Sequence, residues 1–95
     1  MVVGVLRIGL RLEAANSLKE KRGVVRRLLA RCRNRFPVSA AEVGDQDLWR
    51  SAELAFAMVS GSEALIAAQL DRIEDEIEGA GLAEIVSAEV EFIHL

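Results

Sequence analysis

Eight of the chain's twelve Lys and Arg residues fall between Lys19 and Arg35. At about 100° per residue on a helix, Lys19, Arg22, Arg26 and Arg33 project along one side. Arg27, Arg31 and Arg35 project from the back and the other flank, and only Glu20 offsets them locally. A row of ammonium and guanidinium groups can neutralise successive backbone phosphates, a chemistry that tolerates sequence and weakens steeply with salt. Lys19, Lys21, Arg22, Arg26 and Arg33 are therefore the candidate RNA-binding residues. The competing reading is a solvated helix whose charges pair with an acidic neighbour, for which Asp71, Asp75, Glu76 and Glu78 are available.

Other residue types that could carry chemistry stand alone. His94 is the single histidine and lies one residue from the C-terminus, without a sequence-adjacent partner to make it a general base. Cys32, the single cysteine, falls on the apolar side of the basic segment, where a thiol is inert. Two such residues cannot supply a four-ligand zinc site, and no EF-hand spacing appears. Asp45 and Asp47 share a segment that turn chemistry explains equally well. No nucleophile elbow, Walker loop or dinucleotide fingerprint follows a strand, and Gly79-Ala-Gly81 follows a helix instead of opening one. The expectation is a protein that is not an enzyme and takes no cofactor or metal.

These residues have to be positioned by a small scaffold. The 95 residues bound the chain to one domain, 1–95, and a composition 52% hydrophobic excludes disorder. Met1 to Leu12 alternates apolar residues with period two, which predicts a strand. Ser17 and Glu20 form a capping-box pattern. From Leu18 the period becomes helical, with Leu18, Val25, Leu28, Leu29, Cys32 and Phe36 on one stripe. Pro37 ends that helix near Arg35. Val38 to Val43 reads as a short strand, Gly44 to Asp47 as a turn, and Ser51 to Ser60 as a third strand. Ser60-Gly-Ser62 leads into a second helix with Ile66, Leu70, Ile73 and Ile77 on its buried stripe. Leu82 to Leu95 is the last strand, with Val86, Ala88, Val90 and Phe92 on one face. The order β-α-β-β-α-β predicts a ferredoxin-like α+β fold, a four-stranded antiparallel sheet with two helices on one face.

Two helices leave the other face of such a sheet open. The parity of the strands places Val3, Val5, Ala55, Ala57, Val59 and Ile93 there, among Arg7, Arg11, Glu53, Glu89 and Glu91. That is an apolar surface with charged margins, the kind that marks association, so a homo-oligomeric contact is expected on it. It lacks the aromatic residues on which sheet-based RNA readers stack bases. Trp49, between Asp47 and Arg50, is expected to plug the end of the core; its alternative is an exposed anchor for a partner.

The net charge of -3 conceals a polarity. Residues 1–35 carry ten Lys and Arg against two Glu, a local +8, and residues 36–95 carry two Arg against thirteen Asp and Glu, a local -11. The longest uncharged stretch, Leu54 to Ser62, is too short to cross a bilayer. The absence of a disulfide pair points to a reducing compartment, and no signal-peptide pattern is read at the N-terminus, so a cytoplasmic protein is expected.

Three segments, Ser17-Leu-Lys-Glu-Lys-Arg22, Phe36-Pro-Val-Ser-Ala-Ala-Glu-Val43 and Asp47-Leu-Trp-Arg-Ser-Ala52, occur in an order and spacing that closely resemble the YlxP-like family of small bacterial proteins. The resemblance covers nearly the whole chain. It implies a ferredoxin-like fold, a bacterial and cytoplasmic setting, and genes that often neighbour those for transcription elongation, translation initiation and ribosome maturation. The family is a domain of unknown function, so the resemblance transfers no catalytic or ligand residue; Lys19, Lys21 and Arg22 match its basic motif and Trp49 its aromatic. The expected role is an accessory protein that touches RNA or a ribosomal particle through the first helix. The alternative is a homo-oligomeric interaction module that uses Val3, Val5, Ala55, Ala57 and Val59 with Trp49.

Overall fold

Six elements follow one another as the sequence pattern predicts: β1 (Val2–Arg11), α1 (Leu18–Arg35), β2 (Ser39–Gly44), β3 (Ser51–Ser60), α2 (Glu63–Ala80) and β4 (Glu84–His94). The structure is a computed structural model that describes every residue from Met1 to Leu95. The strands form one sheet in the order β2-β3-β1-β4, antiparallel at each pairing. Both helices pack on the same face, which gives the ferredoxin-like arrangement.

The local signals act as read. Ser17 Oγ accepts from the Glu20 backbone N–H at 3.1 Å, which satisfies one of the orphan donors of α1. The Glu20 carboxylate reaches back one residue further than the usual reciprocal box, accepting from the N–H of Asn16 at 2.7 Å. Ser62 caps α2 through the N–H of Leu65 at 3.2 Å, and Gly81 closes that helix with φ 68°, a left-handed geometry that glycine adopts without strain. At the other end of α1, Phe36 donates to the Cys32 carbonyl before Pro37 turns the chain away.

One core lies between sheet and helices. Leu6 and Ile8 of β1, Leu54 and Phe56 of β3, Leu28 and Cys32 of α1, and Ile66, Leu70, Ile73 and Ile77 of α2 are all buried. Each large aliphatic side chain so buried contributes about 1.5–3 kcal/mol. Gly4 lets α2 approach β1, because a Cβ there would collide with the Ile66 side chain.

Two boundaries and one face differ from the sequence reading. Val38 donates to the Phe36 carbonyl and belongs to the turn, so β2 begins at Ser39. Leu82 and Ala83 pack partly under the core, and β4 begins at Glu84. The register of β4 jumps between Gly9↔Ser87 and Leu10↔Ile85, which leaves Val86 as the extra residue of a bulge. Ile85 therefore takes the helix-side place, and Val86 does not share a face with Ala88, Val90 and Phe92 as expected.

The two sheet edges are unlike. On β2 the carbonyls of Ala40 and Glu42 accept from the side chains of Arg33 and Gln46. No side chain makes such a bond along β4, whose eleven residues include the exposed Val90 on the helix side.

Candidate functional site

Helical geometry sorts the basic residues of α1 into three groups. Lys19, Arg22, Arg26 and Arg27 are exposed, and none of them makes an ion pair or a side-chain hydrogen bond. Arg31 and Arg35 lie on the flank towards α2, where both meet Glu76: Arg31 Nε stands 2.5 Å and Arg35 Nη1 3.0 Å from Glu76 Oε1. The hydrogen bond from Arg31, aided by the charge of Arg35, holds the Glu76 carboxyl below its ordinary pKa. Asp71, Asp75 and Glu78, expected to share in this pairing, make no ion pair, because they project from the far side of α2. The acidic helix thus neutralises one flank of α1 and leaves the other.

Lys21 is a correction to the candidate RNA-binding set. It is 0% exposed. Its position four residues before Val25 and seven before Leu28 puts it on the buried stripe. Its ammonium lies 3.1 Å from Glu42 Oε2 and also donates to the Asp45 carbonyl. A buried ammonium so held is a structural clasp between α1, β2 and the following turn, and it is not available to a ligand. Arg33 keeps its exposed place on the stripe but uses one guanidinium nitrogen on the Ala40 carbonyl. Its remaining donors are free.

Trp49 is a second correction. It is 52% exposed, as is Leu48 beside it, and it plugs nothing. The end of the core is closed instead by Leu12 and Ala15, which fold back from β1. Leu12 donates to the Arg50 carbonyl at 2.9 Å, and Ala15 to the Leu12 carbonyl at 3.1 Å. The Trp49 segment is pinned on both sides. Asp45, with φ 58°, accepts from Leu48 N–H and from Lys21, and Arg50 Nε donates to the Ala15 carbonyl at 3.1 Å. Leu48, Trp49 and Arg50 line a shallow, open hollow.

The structure therefore brings together two of the sequence segments that stood far apart, Ser17 to Arg22 and Asp47 to Ala52. Lys21 joins the first to the turn that opens the second, and Arg50 joins the second to the residues just before Ser17. Glu42, the partner of Lys21, is the residue that reading from the sequence missed. Its signal was the inward parity it shares with the buried Ala40.

On the open face of the sheet the charges collect at one end. Arg7 reaches Glu89 at 2.5 Å and Glu53 at 3.9 Å, and Arg11 lies 3.8 Å from Glu84. The other end is apolar apart from Glu91, which pairs with Val5. Val3 pairs with Val59 on one side and Ile93 on the other, and Val5 pairs with Ala57. Val59 is 61% exposed.

The remaining candidates do not assemble into a reactive centre. Burial, reinforced by the carboxylate of Glu76, pushes the Cys32 thiol up to about 11, so it is protonated and shielded at neutral pH. His94 Nε2 stands 2.8 Å from Glu63 Oε1 at an exposed edge. No three His, Cys, Asp or Glu side chains converge on a common point. No helix is long and apolar enough to cross a membrane.

Comparison with known proteins agrees with this architecture. The family model described as "Protein of unknown function (DUF503)" matches residues 3–90. "Uncharacterized protein YlxP" of Bacillus subtilis (strain 168) is 44% identical over 59 residues, which make up 62% of this chain and 64% of that protein. The match thus spans less than two thirds of that relative's length. Among solved structures, the de novo designed protein LFR1 1 with a ferredoxin fold is 17% identical, with a TM-score of 0.62 over 96% of this chain and 85% of that chain. A structural-genomics protein, YJCS, is 11% identical, with a TM-score of 0.56 over 97% of this chain and 99% of that chain. At such identities the likeness is one of fold alone.

Proposed function

This chain belongs to the family described as protein of unknown function (DUF503), and from its own surface we propose that it is a non-enzymatic accessory protein that holds RNA by its backbone along α1. One observation carries this reading. The acidic second helix offers a single carboxylate, Glu76, to the basic helix, and leaves Lys19, Arg22, Arg26 and Arg27 exposed without partners. Had the charges of α1 served to bind the two helices together, the carboxylates of α2 would face all of them. Four free cations and part of Arg33 lie instead on a surface that no other element covers. The gene neighbourhood implied by the family resemblance supports a role in ribosome maturation or translation. The single buried, unpaired Cys32 supports a reducing, cytoplasmic setting.

Binding of a generic single-stranded RNA across a salt series tests the proposal. Four phosphate contacts give a log–log slope of about -3, and so a loss of about fifty-fold between 50 and 200 mM salt. Arg22→Glu with Arg26→Glu should flatten that slope. No binding at 50 mM salt would overturn the reading.

A second reading rests on the apolar end of the open face. Val59 and Ile93, both exposed, flank the half-buried Val3 in a row across three strands, a surface that favours self-association. Sedimentation equilibrium decides it: a concentration-dependent dimer lost on Val59→Lys supports it, and a monomer at the highest concentration removes it.

A further inference from the structure

The position of Trp49 adds a substrate class to the RNA reading, on which the following inference rests. We infer that Trp49 is a stacking platform for an unpaired base, so that the chain binds single-stranded RNA in preference to duplex. Trp49 is not needed by the core, since Leu12 and Ala15 close that end. Half of its surface faces solvent on a segment whose backbone is fixed, from one side by Lys21 to the Asp45 carbonyl and from the other by Arg50 to the Ala15 carbonyl. A ring held this way can receive a base with little ordering cost.

The same two contacts set the segment that carries Trp49 beside the N-terminal end of α1. Lys21 belongs to the first turn of the helix, and Ala15 precedes its cap by two residues. The stripe of Lys19, Arg22 and Arg26 begins at this end and runs away from it. Cations that track a backbone beside an exposed aromatic ring are the combination that holds a single strand, because every base offers a π-face whatever its identity. Duplex RNA presents phosphates to the stripe but no free base to the ring. Asp45 and Asp47 put negative charge on the N-terminal side of Trp49. They keep phosphate off the loop and on the helix, which leaves the base as the part of the strand that meets Trp49.

Trp49 is the sole tryptophan, so its fluorescence reports on this site directly. The test titrates the full chain with a twelve-nucleotide oligoadenylate and with a fully paired RNA hairpin of equal phosphate count, its strands joined by an ethylene glycol linker in place of loop bases, following both indole emission and the anisotropy of end-labelled RNA. The expected result is quenching by the single strand with the same midpoint as the anisotropy change, and hairpin binding without quenching. Trp49→Ala should weaken single-strand binding by about five- to a hundred-fold, change hairpin binding less than two-fold, and be largely repaired in Trp49→Phe. Far-ultraviolet circular dichroism of Trp49→Ala should match the parent, since Leu12 and Ala15 and not the half-exposed ring close that end of the core. If both RNAs bind but the indole emission and the Trp49→Ala affinity are unchanged, the stacking inference is overturned and the phosphate reading stands. If neither RNA binds, both are overturned. An emission shift that follows protein concentration without RNA would make Trp49 a contact between copies of this chain, and overturn the inference as well.

Discussion

The ammonium of Lys21 lies 3.1 Å from the Oε2 of Glu42, wholly out of solvent, and the pair spans the joint between the first helix and the outermost short strand. Two charges withdrawn from water in this way stabilise the fold only as a pair, because either one alone is a buried ion.

Removing one partner should therefore be costly. Lys21→Met is expected to lower the free energy of unfolding by about 3 kcal/mol, as it strands Glu42 and the Asp45 carbonyl. The double variant Lys21→Met with Glu42→Leu should recover most of the loss. Urea unfolding of the two single variants and the double, read as a cycle, measures the coupling. A loss in the double variant equal to the sum of the two single losses would show that the two side chains do not act together.

Glu76 links acid stability to RNA affinity. Its carboxyl has a lower pKa folded than unfolded, so its contribution is present above the ordinary value of 4.5 and is lost as pH falls through the folded value. Glu76→Gln should flatten the stability curve in that acid range. It also releases Arg31 and Arg35, and generic single-stranded RNA should then bind about two- to five-fold more tightly at low salt. Thermal melts between pH 3 and 7, with anisotropy at pH 7, check both.

Cys32 sets the alkaline limb. Its thiol is raised from 9.0 to about 11 in the folded chain, so the unfolded chain ionises first as pH climbs. The stability held by the buried neutral thiol is complete below pH 9 and is lost between pH 9 and 11. Cys32→Val should remove this slope. In the parent, a thiol reagent at neutral pH should label Cys32 only at the rate at which the chain opens.

Gly23 occupies the middle of the first helix with no atom near the place a Cβ would take. Gly23→Ala should thus stabilise the fold by about 0.5–1 kcal/mol and raise Tm by several degrees. Differential scanning calorimetry checks it. If RNA backbone lies close along the stripe between Arg22 and Arg26, the same substitution should weaken RNA binding while it strengthens the fold.

The elements were legible where one physical signal dominated. Alternation marked β1 and located β3 at Ser51–Ser60, serine caps opened both helices, and Pro37 and Gly81 closed them. The misreadings arose where the deciding partner is distant in sequence. Lys21 looks like one more surface cation until Glu42 arrives from β2. Trp49 looks like a core plug until Leu12 and Ala15 fill that place. The bulge at Val86 depends on the pairing with Gly9, which the composition of β4 alone does not reveal. For the basic helix the sequence shows the number of charges but not their partners. Only the packing of α2 against it separates Arg31 and Arg35, which are neutralised, from Lys19, Arg22, Arg26 and Arg27, which are not.

The unequal edges of the sheet bear on how far this protein could ever polymerise. A ladder of strands grows into a fibre only if each unit accepts a neighbour on both sides. Here Arg33 and Gln46 occupy two of the β2 carbonyls, those of Ala40 and Glu42, while no side chain bonds the backbone of β4. Strand-to-strand addition between copies would join β4 to β4 and then have nowhere to continue. The guanidinium of Arg33 thereby acts as a chain terminator, and a long exposed strand is tolerated without the hazard of open-ended growth.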